Sequence, residues 1–258
     1  HGVPLAPAEG SVLLLTLRSY ALAAHTHPGS PTEEWNEEAR VGLVPSTVCK
    51  RSGKLLPPRA RYVGRAGEVV LSLDHYCTYI GLPVGHYNRA YFLQFLAYAS
   101  LLCLVGIALC VAELFTSPTA ASLRRVMLHL PSLSPPMGVP GGSAEHLAKL
   151  VPQEVHDFLA LGWTADHTRV AAVGYTLIAN VLATAFLGAL TWWQWGLAIH
   201  GRTTVAPKDA TYDRGSVRDN LELIFGPHVL LWWAPLRSVR PASSGLESYD
   251  GFAGGFCE

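Results

Sequence analysis

Two uninterrupted apolar runs constrain this chain more than any other feature. Residues 91–115 carry one formal charge, Glu113 near the end, and residues 170–200 carry none. Each is longer than the roughly 20 residues a helix needs to cross about 30 Å of hydrocarbon. Composition agrees: of 258 residues, 50% are apolar and 15% charged, where soluble domains show about 25% charged. A large part of the surface is therefore expected to face lipid. Trp192, Trp193 and Trp195 close the second run, and their amphipathic rings suit an interface belt. A third apolar stretch, 11–24, is shorter and contains Arg18. Because the chain opens on His1, it reads as a fragment or processed form, and 11–24 as the tail of a membrane helix whose start precedes it.

The polar stretches between these runs differ in charge. Residues 25–90 hold eight Lys or Arg, 116–169 hold four and 201–258 hold six. The positive-inside rule assigns the first and last to the cytosol and the middle one to the lumen. The expected domains are therefore a partial transmembrane helix with its exit turn (1–28), a cytosolic domain (29–90), a transmembrane helix (91–115), a lumenal loop (116–169), a second transmembrane helix (170–200) and a cytosolic C-terminal domain (201–258). The fold class expected is an α-helical, polytopic integral membrane protein with a loop-rich cytosolic domain between two helices. Within the lumenal stretch, a Ser-, Pro- and Gly-rich segment precedes an amphipathic one at 145–161, which predicts an irregular loop and then a short surface helix. No internal repeat is evident. Nineteen basic residues balance nineteen acidic ones, which argues against a nucleic-acid partner. Five widely spaced cysteines, at 49, 77, 103, 110 and 257, do not form a secreted disulfide pattern and point to a reducing compartment.

Chemistry concentrates in Asp74-His75-Tyr76-Cys77, 13 residues before the first long helix. In extended backbone, side chains at i and i+2 share a face, so His75 reaches the sulfur of Cys77. An imidazole beside a thiol favours the thiolate, and an adjacent carboxylate such as Asp74 fixes the tautomer and orientation of the imidazole.

The surrounding string is more specific. Cys49 to Arg59 includes Pro57-Pro58-Arg59, and Asp74 to Phe92 includes Val84-Gly85-His86-Tyr87-Asn88. Together with His27-Pro28-Gly29, Thr203-Thr204-Val205-Ala206, and Tyr212-Asp213-Arg214-Gly215 followed by Asn220 and Phe225-Gly226, this string resembles the DHHC protein S-acyltransferases over nearly the whole chain and in the same order. The resemblance implies that Cys77 is the nucleophile, His75 its general base and Asp74 the group that orients His75. It also implies that Thr204 steadies Asp74, that Asn220 ties the C-terminal segment to the catalytic loop, and that Tyr79 and Phe92 border the mouth of the acyl cavity. The partners implied are a long-chain acyl-CoA such as palmitoyl-CoA, cysteine-containing membrane-associated protein substrates and the lipid bilayer. The implied location is the endomembrane system (ER, Golgi or vacuole) or the plasma membrane, with the active site cytosolic. Lys50, Arg51, Lys54, Arg59, Arg61 and Arg65 form a run of cations without an acid, suited to the phosphates of CoA or to anionic lipid.

The departures are equally specific. The family usually holds two structural zinc ions. The corresponding positions here read Cys49, Ser52, Tyr62 and Val69 for one, and Val63, Ala66, Tyr76 and Pro83 for the other. Zinc requires four N, S or O donors, so no zinc and no other cofactor is expected; acyl-CoA is a substrate. A single apolar cluster of Tyr62, Val63, Val69, Val70 and Tyr76 is expected to shape the loop instead. Tyr76 takes the place of a second His, a variant carried by some yeast members of the family, and Ala206 takes the place of a Glu. The competing reading is a catalytically inactive adaptor or scaffold; retention of Asp74, His75 and Cys77 favours the enzyme. A transporter is disfavoured, because Gln94, Asn180 and Glu113 are too few to line a path. Cys103 and Cys110 read as helix packing, His25 and His27 as part of an exit turn, and Cys257 receives no role.

Overall fold

The structure, a computed structural model, describes residues 6–118, 120, 121, 124, 165–236 and 246. They fall into two compact units, residues 1–102 with 185–258 and residues 103–184.

The first unit begins with helix α1 (Ala6–His25) and the short α2 (Glu33–Arg40), capped at its start by Thr32, whose hydroxyl accepts the Trp35 N–H. Where a loop-rich domain was expected, residues 47–84 form three two-stranded antiparallel hairpins: β1 (Thr47–Val48) with β2 (Leu55–Leu56), β3 (Arg61–Val63) with β4 (Glu68–Val70), and β5 (His75–Cys77) with β6 (Leu82–Val84). The hairpins are a structural repeat, contrary to the sequence reading. Gly53, Gly67 and Gly81 follow one another at intervals of 14 residues (67 − 53 and 81 − 67), each with φ of 70°, 70° and 73°. Their N–H groups donate to the carbonyls of Cys49, Val63 and Cys77 in the same order, at 2.8, 2.9 and 3.0 Å. Only glycine occupies this backbone region without strain. Three residues after each glycine comes an apolar side chain, Leu56, Val70 or Val84, with no exposed surface. The repeat shares little else, so it leaves almost no trace in the sequence.

Strand alternation also divides the expected apolar cluster in two. Tyr62 pairs across from Val69, while Val63 and Val70 point to the opposite face. One cluster therefore holds Cys49, Leu56, Ala60, Val69 and Leu71 with Tyr62 against it, and the other holds Val63, Val70 and Leu73 with Tyr76 and Val205 against it.

Helix α3 (Arg89–Thr116) follows the third hairpin, α4 (Ala165–Ile199) returns, and α5 (Val217–Phe225) starts at an N-cap where Ser216 accepts the Asp219 N–H. By length and composition, α3 and α4 suffice to cross a membrane. The junction into α3 is built by Asn88, which is fully buried. Its Oδ1 accepts the Gly85 N–H at 2.8 Å, and its Nδ2 donates to the Pro83 and Ala23 carbonyls at 2.9 and 3.4 Å. The main core of this unit joins Leu22 and Ala23 of α1, Cys77, Ile80 and Val84 of the third hairpin, Phe92, Leu93 and Leu96 of α3, Ala198 of α4 and Leu221, Ile224 and Phe225 of α5. Trp195 belongs here rather than to an outer belt: its ring stacks on Phe225 and Trp233 at centroid distances of 5.6 and 5.7 Å, and its Nε1 donates to the Leu93 carbonyl. Trp192 and Trp193 are exposed.

In the second unit, Gly106 of α3 admits Asn180 of α4, and a Cβ at Gly106 would lie 2.8 Å from Asn180 Oδ1. Helix α4 starts five residues earlier than the apolar run, which brings Arg169 into it and within 2.8 Å of Glu113. Most of the stretch 116–169, including the helix expected at 145–161, and Cys257 lie outside the described residues.

Gly85 is the tightest point of the hairpin stack. An added Cβ would fall 2.6 Å from Val70 Cγ1, 2.9 Å from the Pro28 carbonyl and 3.0 Å from the Leu71 carbonyl. Both carbonyls accept backbone N–H groups, from Tyr87 and His86, so neither moves without losing a hydrogen bond. Gly85→Ala is expected to destabilise the protein by about 1–3 kcal/mol, read as a lower thermal midpoint in detergent; an unchanged midpoint would refute this packing.

Candidate active site

The site is organised around a carboxylate removed from water. Asp74, fully buried, lies just before β5. Its Oδ1 accepts the Thr204 N–H at 3.0 Å and faces Arg89 Nη2 at 3.3 Å; its Oδ2 accepts the Thr204 hydroxyl and meets His75 Nδ1, both at 2.8 Å. Burial pushes this carboxyl upward, but the Arg89 guanidinium, the bond to His75 and the Thr204 N–H together outweigh it and hold the group well below the usual carboxylate range. Asp74 is therefore an ion, and its three partners come from β5, the start of α3 and the loop after α4.

His75 and Cys77 are the two ends of β5, on one face of the strand. Nδ1 of His75 carries the proton shared with Asp74, and the ring also hydrogen-bonds to Cys77. Burial pulls the imidazole down, yet the bonds to Asp74 and Cys77 and the charges of both raise it to about 9. Phe92 packs edge-on against the imidazole at 5.1 Å between centroids and restricts its rotation. Burial likewise raises the Cys77 thiol. The His75 bond, the backbone N–H groups of Ile80 and Tyr79 and the imidazolium charge act the other way and leave it lowered. Because the turn closed by Gly81 aims two N–H groups at the sulfur, thiolate stabilisation is built into the hairpin.

The remaining residues singled out from sequence take diverse places. The Tyr79 side chain is exposed, and its carbonyl accepts the Tyr20 hydroxyl. Among the described residues, Asn220 makes no hydrogen bond to the Asp74–Cys77 segment. Its Nδ2 donates to the Ile199 carbonyl at the end of α4 (3.0 Å) and to Asp213 Oδ1 (2.8 Å), and its Oδ1 accepts the Arg214 N–H, so its hydrogen-bonding capacity is used in fixing the segment after α4. Of the six cations, Lys50, Arg51, Lys54 and Arg65 are exposed. Lys54 donates to the Gly67 carbonyl and Arg65 lies over the Tyr76 ring. Arg59 and Arg61 are half-buried and turn to the loop after α4: Arg59 donates to the Gly201 carbonyl at 2.8 Å and lies over the Tyr212 ring, and Arg61 donates to the Val205 carbonyl.

Sequence reasoning missed two site residues. Arg89, 5% exposed, touches Asp74 and donates to the Arg202 carbonyl at 2.6 Å; its one signal was a cation at the head of an apolar helix, which also fits the positive-inside bias. Gln194, also 5% exposed, donates to the Thr204 hydroxyl at 2.9 Å; its signal was an amide inside an apolar run.

The positions that the resemblance assigns to zinc do not fit a metal. Cys49, Tyr62 and Val69 converge in one apolar cluster, and Val63 and Tyr76 in the other. Tyr76 donates its hydroxyl to the Gly81 carbonyl. Valine, alanine and proline side chains offer no donor atoms, so neither set reaches the four a structural zinc requires.

Comparison with known proteins gives a consistent result. A family model described as DHHC palmitoyltransferase matches residues 44–209. The chain is similar to palmitoyltransferase pfa3 of Aspergillus fumigatus, 30% identical over 125 residues that make up 42% of this chain and 23% of the relative. It is similar to palmitoyltransferase ZDHHC16A of Danio rerio, 25% identical over 75% of this chain and 50% of the relative. Similarity to probable protein S-acyltransferase 16 of Arabidopsis thaliana, at 25% identity, covers 97% of this chain and 82% of the relative. The chain thus spans half or less of the fungal and fish relatives.

The electrostatics predict the behaviour of the thiol. Alkylation of Cys77 by iodoacetamide, followed by mass spectrometry of its peptide, should reach half its maximal rate below the pH of about 8.5 typical of a free cysteine. In Asp74→Asn the imidazolium loses its counter-ion, the His75 pKa falls from about 9 toward its ordinary value, and the Cys77 midpoint should move up. An identical midpoint in both proteins would show that Asp74 does not act through His75.

Proposed function

Because this chain belongs to the DHHC palmitoyltransferase family, we propose that it is a protein S-acyltransferase that uses a long-chain acyl-CoA and modifies cysteines of membrane-associated proteins. What supports this reading most is the unbroken line from Thr204 through Asp74 and His75 to Cys77, in which a buried carboxylate orients an imidazole against a thiol. A buried ion can specify a fold by itself, but an adaptor without chemistry has no need of the imidazole and the lowered thiol in line with it.

In the first half-reaction the Cys77 thiolate attacks the thioester carbonyl of acyl-CoA. The bond from the acyl carbon to Cys77 forms, the bond to the CoA sulfur breaks, and the departing thiolate takes the proton from the His75 imidazolium. In the second, neutral His75 removes the proton of a substrate thiol, that sulfur attacks the acyl carbon, and Cys77 leaves as a thiolate beside the regenerated imidazolium. Asp74 keeps one tautomer of His75 throughout, and the N–H groups of Tyr79 and Ile80 stabilise the sulfur anion in the ground state and as leaving group. The exposed cations Lys50, Arg51, Lys54 and Arg65 suit the phosphates of CoA, while Arg59 and Arg61 hold the loop that carries Thr204. Phe92 acts through His75, and Tyr79 borders the acyl cavity. We read the protein as integral to endomembranes or the plasma membrane, with α3 and α4 as spans and the site on the cytosolic side. The hairpins are held without zinc, the two apolar clusters taking over the metal's task.

Purified protein incubated with labelled palmitoyl-CoA should acquire hydroxylamine-sensitive label, lost in Cys77→Ser; equal labelling of both proteins, or none, would sink the enzyme and favour the adaptor. The same sample should contain less than stoichiometric zinc and keep its rate after treatment with a chelator, whereas one or two zinc ions per chain would overturn the metal-free account.

A further inference from the structure

Helix α4 is apolar over the run that qualifies it as a membrane span, yet near its end it buries a polar side chain, Gln194. The amide nitrogen of Gln194 lies 2.9 Å from Thr204 Oγ1, and that hydroxyl lies 2.8 Å from Asp74 Oδ2. The proton positions follow from charge alone. Asp74 is a carboxylate and has no hydrogen to give, so the single O–H of Thr204 must point to it. The lone pair on the other side of Oγ1 is then left to accept, and only the NH2 end of Gln194 satisfies it. The opposite end of the same amide, Oε1, is buried with no hydrogen-bond partner among the described residues. A buried amide oxygen in that state calls for an explanation, and the bond from the same amide to the Thr204 hydroxyl supplies one.

We infer that Gln194 is a positioning residue for acyl transfer: by occupying the lone pair of Thr204 it locks the hydroxyl with its proton on Asp74 Oδ2, and so holds the carboxylate in register with His75. The inference rests on the S-acyltransferase reading given above. A threonine hydroxyl turns to suit its partners; the Asp74 carboxylate draws its proton, and a donor on the opposite lone pair disfavours the orientations that would turn it away. The lock bears on both half-reactions, because Asp74 must orient the imidazolium while its proton passes to the departing CoA sulfur and the neutral imidazole afterwards. Once that proton has gone the imidazolium charge vanishes; the His75 Nδ1–H still donates to Asp74, while Arg89 and Thr204 hold the two sides of the carboxylate. A carboxylate that stays in place then meets the imidazole in the tautomer needed to accept the substrate's proton. Gln194 touches neither the thiol nor the imidazole and acts at one remove.

The test uses the rate of Cys77 acylation by labelled palmitoyl-CoA, measured against pH, in the wild type, Gln194→Met, Gln194→Glu, Thr204→Val and the Met/Val double variant. Gln194→Met should slow acylation about 3- to 10-fold, the range supported by one neutral hydrogen bond, with KM for the acyl-CoA unchanged. Thr204→Val should lose about 10- to 100-fold, as for a bond to a charged group. In the Val background the Met substitution should cost nothing further, since the hydroxyl it orients is gone. Gln194→Glu differs by one atom and fills the same volume, so it guards against a Met variant that does not fold. Protonated, it donates to Thr204 and retains activity. Ionised, it turns the hydroxyl away from Asp74, so its rate should fall with rising pH through a range where the wild type is active. A wild-type rate in Gln194→Met, losses that multiply in the double variant, or a wild-type pH profile in Gln194→Glu would each overturn the inference. Absence of Cys77-dependent label in the wild type would instead overturn the acyltransferase reading itself.

Discussion

The structure around the site depends on keeping one negative charge out of water. An isolated buried carboxylate costs several kcal/mol or more, and Asp74 has no exposed surface. The fold meets that demand with Arg89 at the head of α3, two donors from Thr204 after α4, and His75 on the neighbouring strand. Each partner is fixed elsewhere: Arg89 by the Arg202 carbonyl, Thr204 by Gln194, His75 by the edge of Phe92. Three chain segments far apart in sequence must therefore assemble before the charge is tolerable. A buried ion of this kind contributes little net stability, but it specifies one arrangement, because any misplacement leaves it uncompensated.

The hairpin domain is held together by repeated turns and apolar packing. Three turns repeat at the same interval, each closed by a glycine in the left-handed region, and each delivers an apolar side chain to the interior. Side chains of the Val or Leu type contribute about 1.5–3 kcal/mol apiece when fully buried, so a few of them on each face of β3 and β4 hold these strands in place. The first two turns close hairpins around Cys49 and Val63. In the third the same geometry points two N–H groups at the sulfur of Cys77. Cys77 thus occupies a structural position of the repeat, and the lowering of its thiol pKa follows in part from the turn.

The loop after α4 acts as a clamp. Arg59 and Arg61 reach it from the hairpins, Arg89 from α3, and Asn220 from α5. Four of these contacts end on backbone carbonyls, which explains why cations that look like a phosphate patch in sequence are partly committed to internal structure. The result is a rigid seat for Thr204, whose backbone and side chain both point at Asp74.

What the sequence determined by itself was local or periodic. The apolar runs set α3 and α4, because crossing length depends only on consecutive residues. The i, i+2 spacing set His75 and Cys77 on one face, and the order of short motifs from Pro57 to Phe225 set the family. What only the tertiary structure decided was every partnership between residues distant along the chain. Arg89 and Gln194 looked like a positive-inside charge and an ordinary helix amide, since their meaning lies in Asp74 and Thr204, which the fold brings to them. Asn220 was read as reaching the catalytic loop, but it satisfies the end of α4. The hairpin repeat stayed invisible because a turn needs one glycine and one buried apolar residue, too little to stand out in a chain that is half apolar. Spacing along a chain fixes which groups are near neighbours; burial and charge compensation, which are properties of the assembled whole, decide which of them do chemistry.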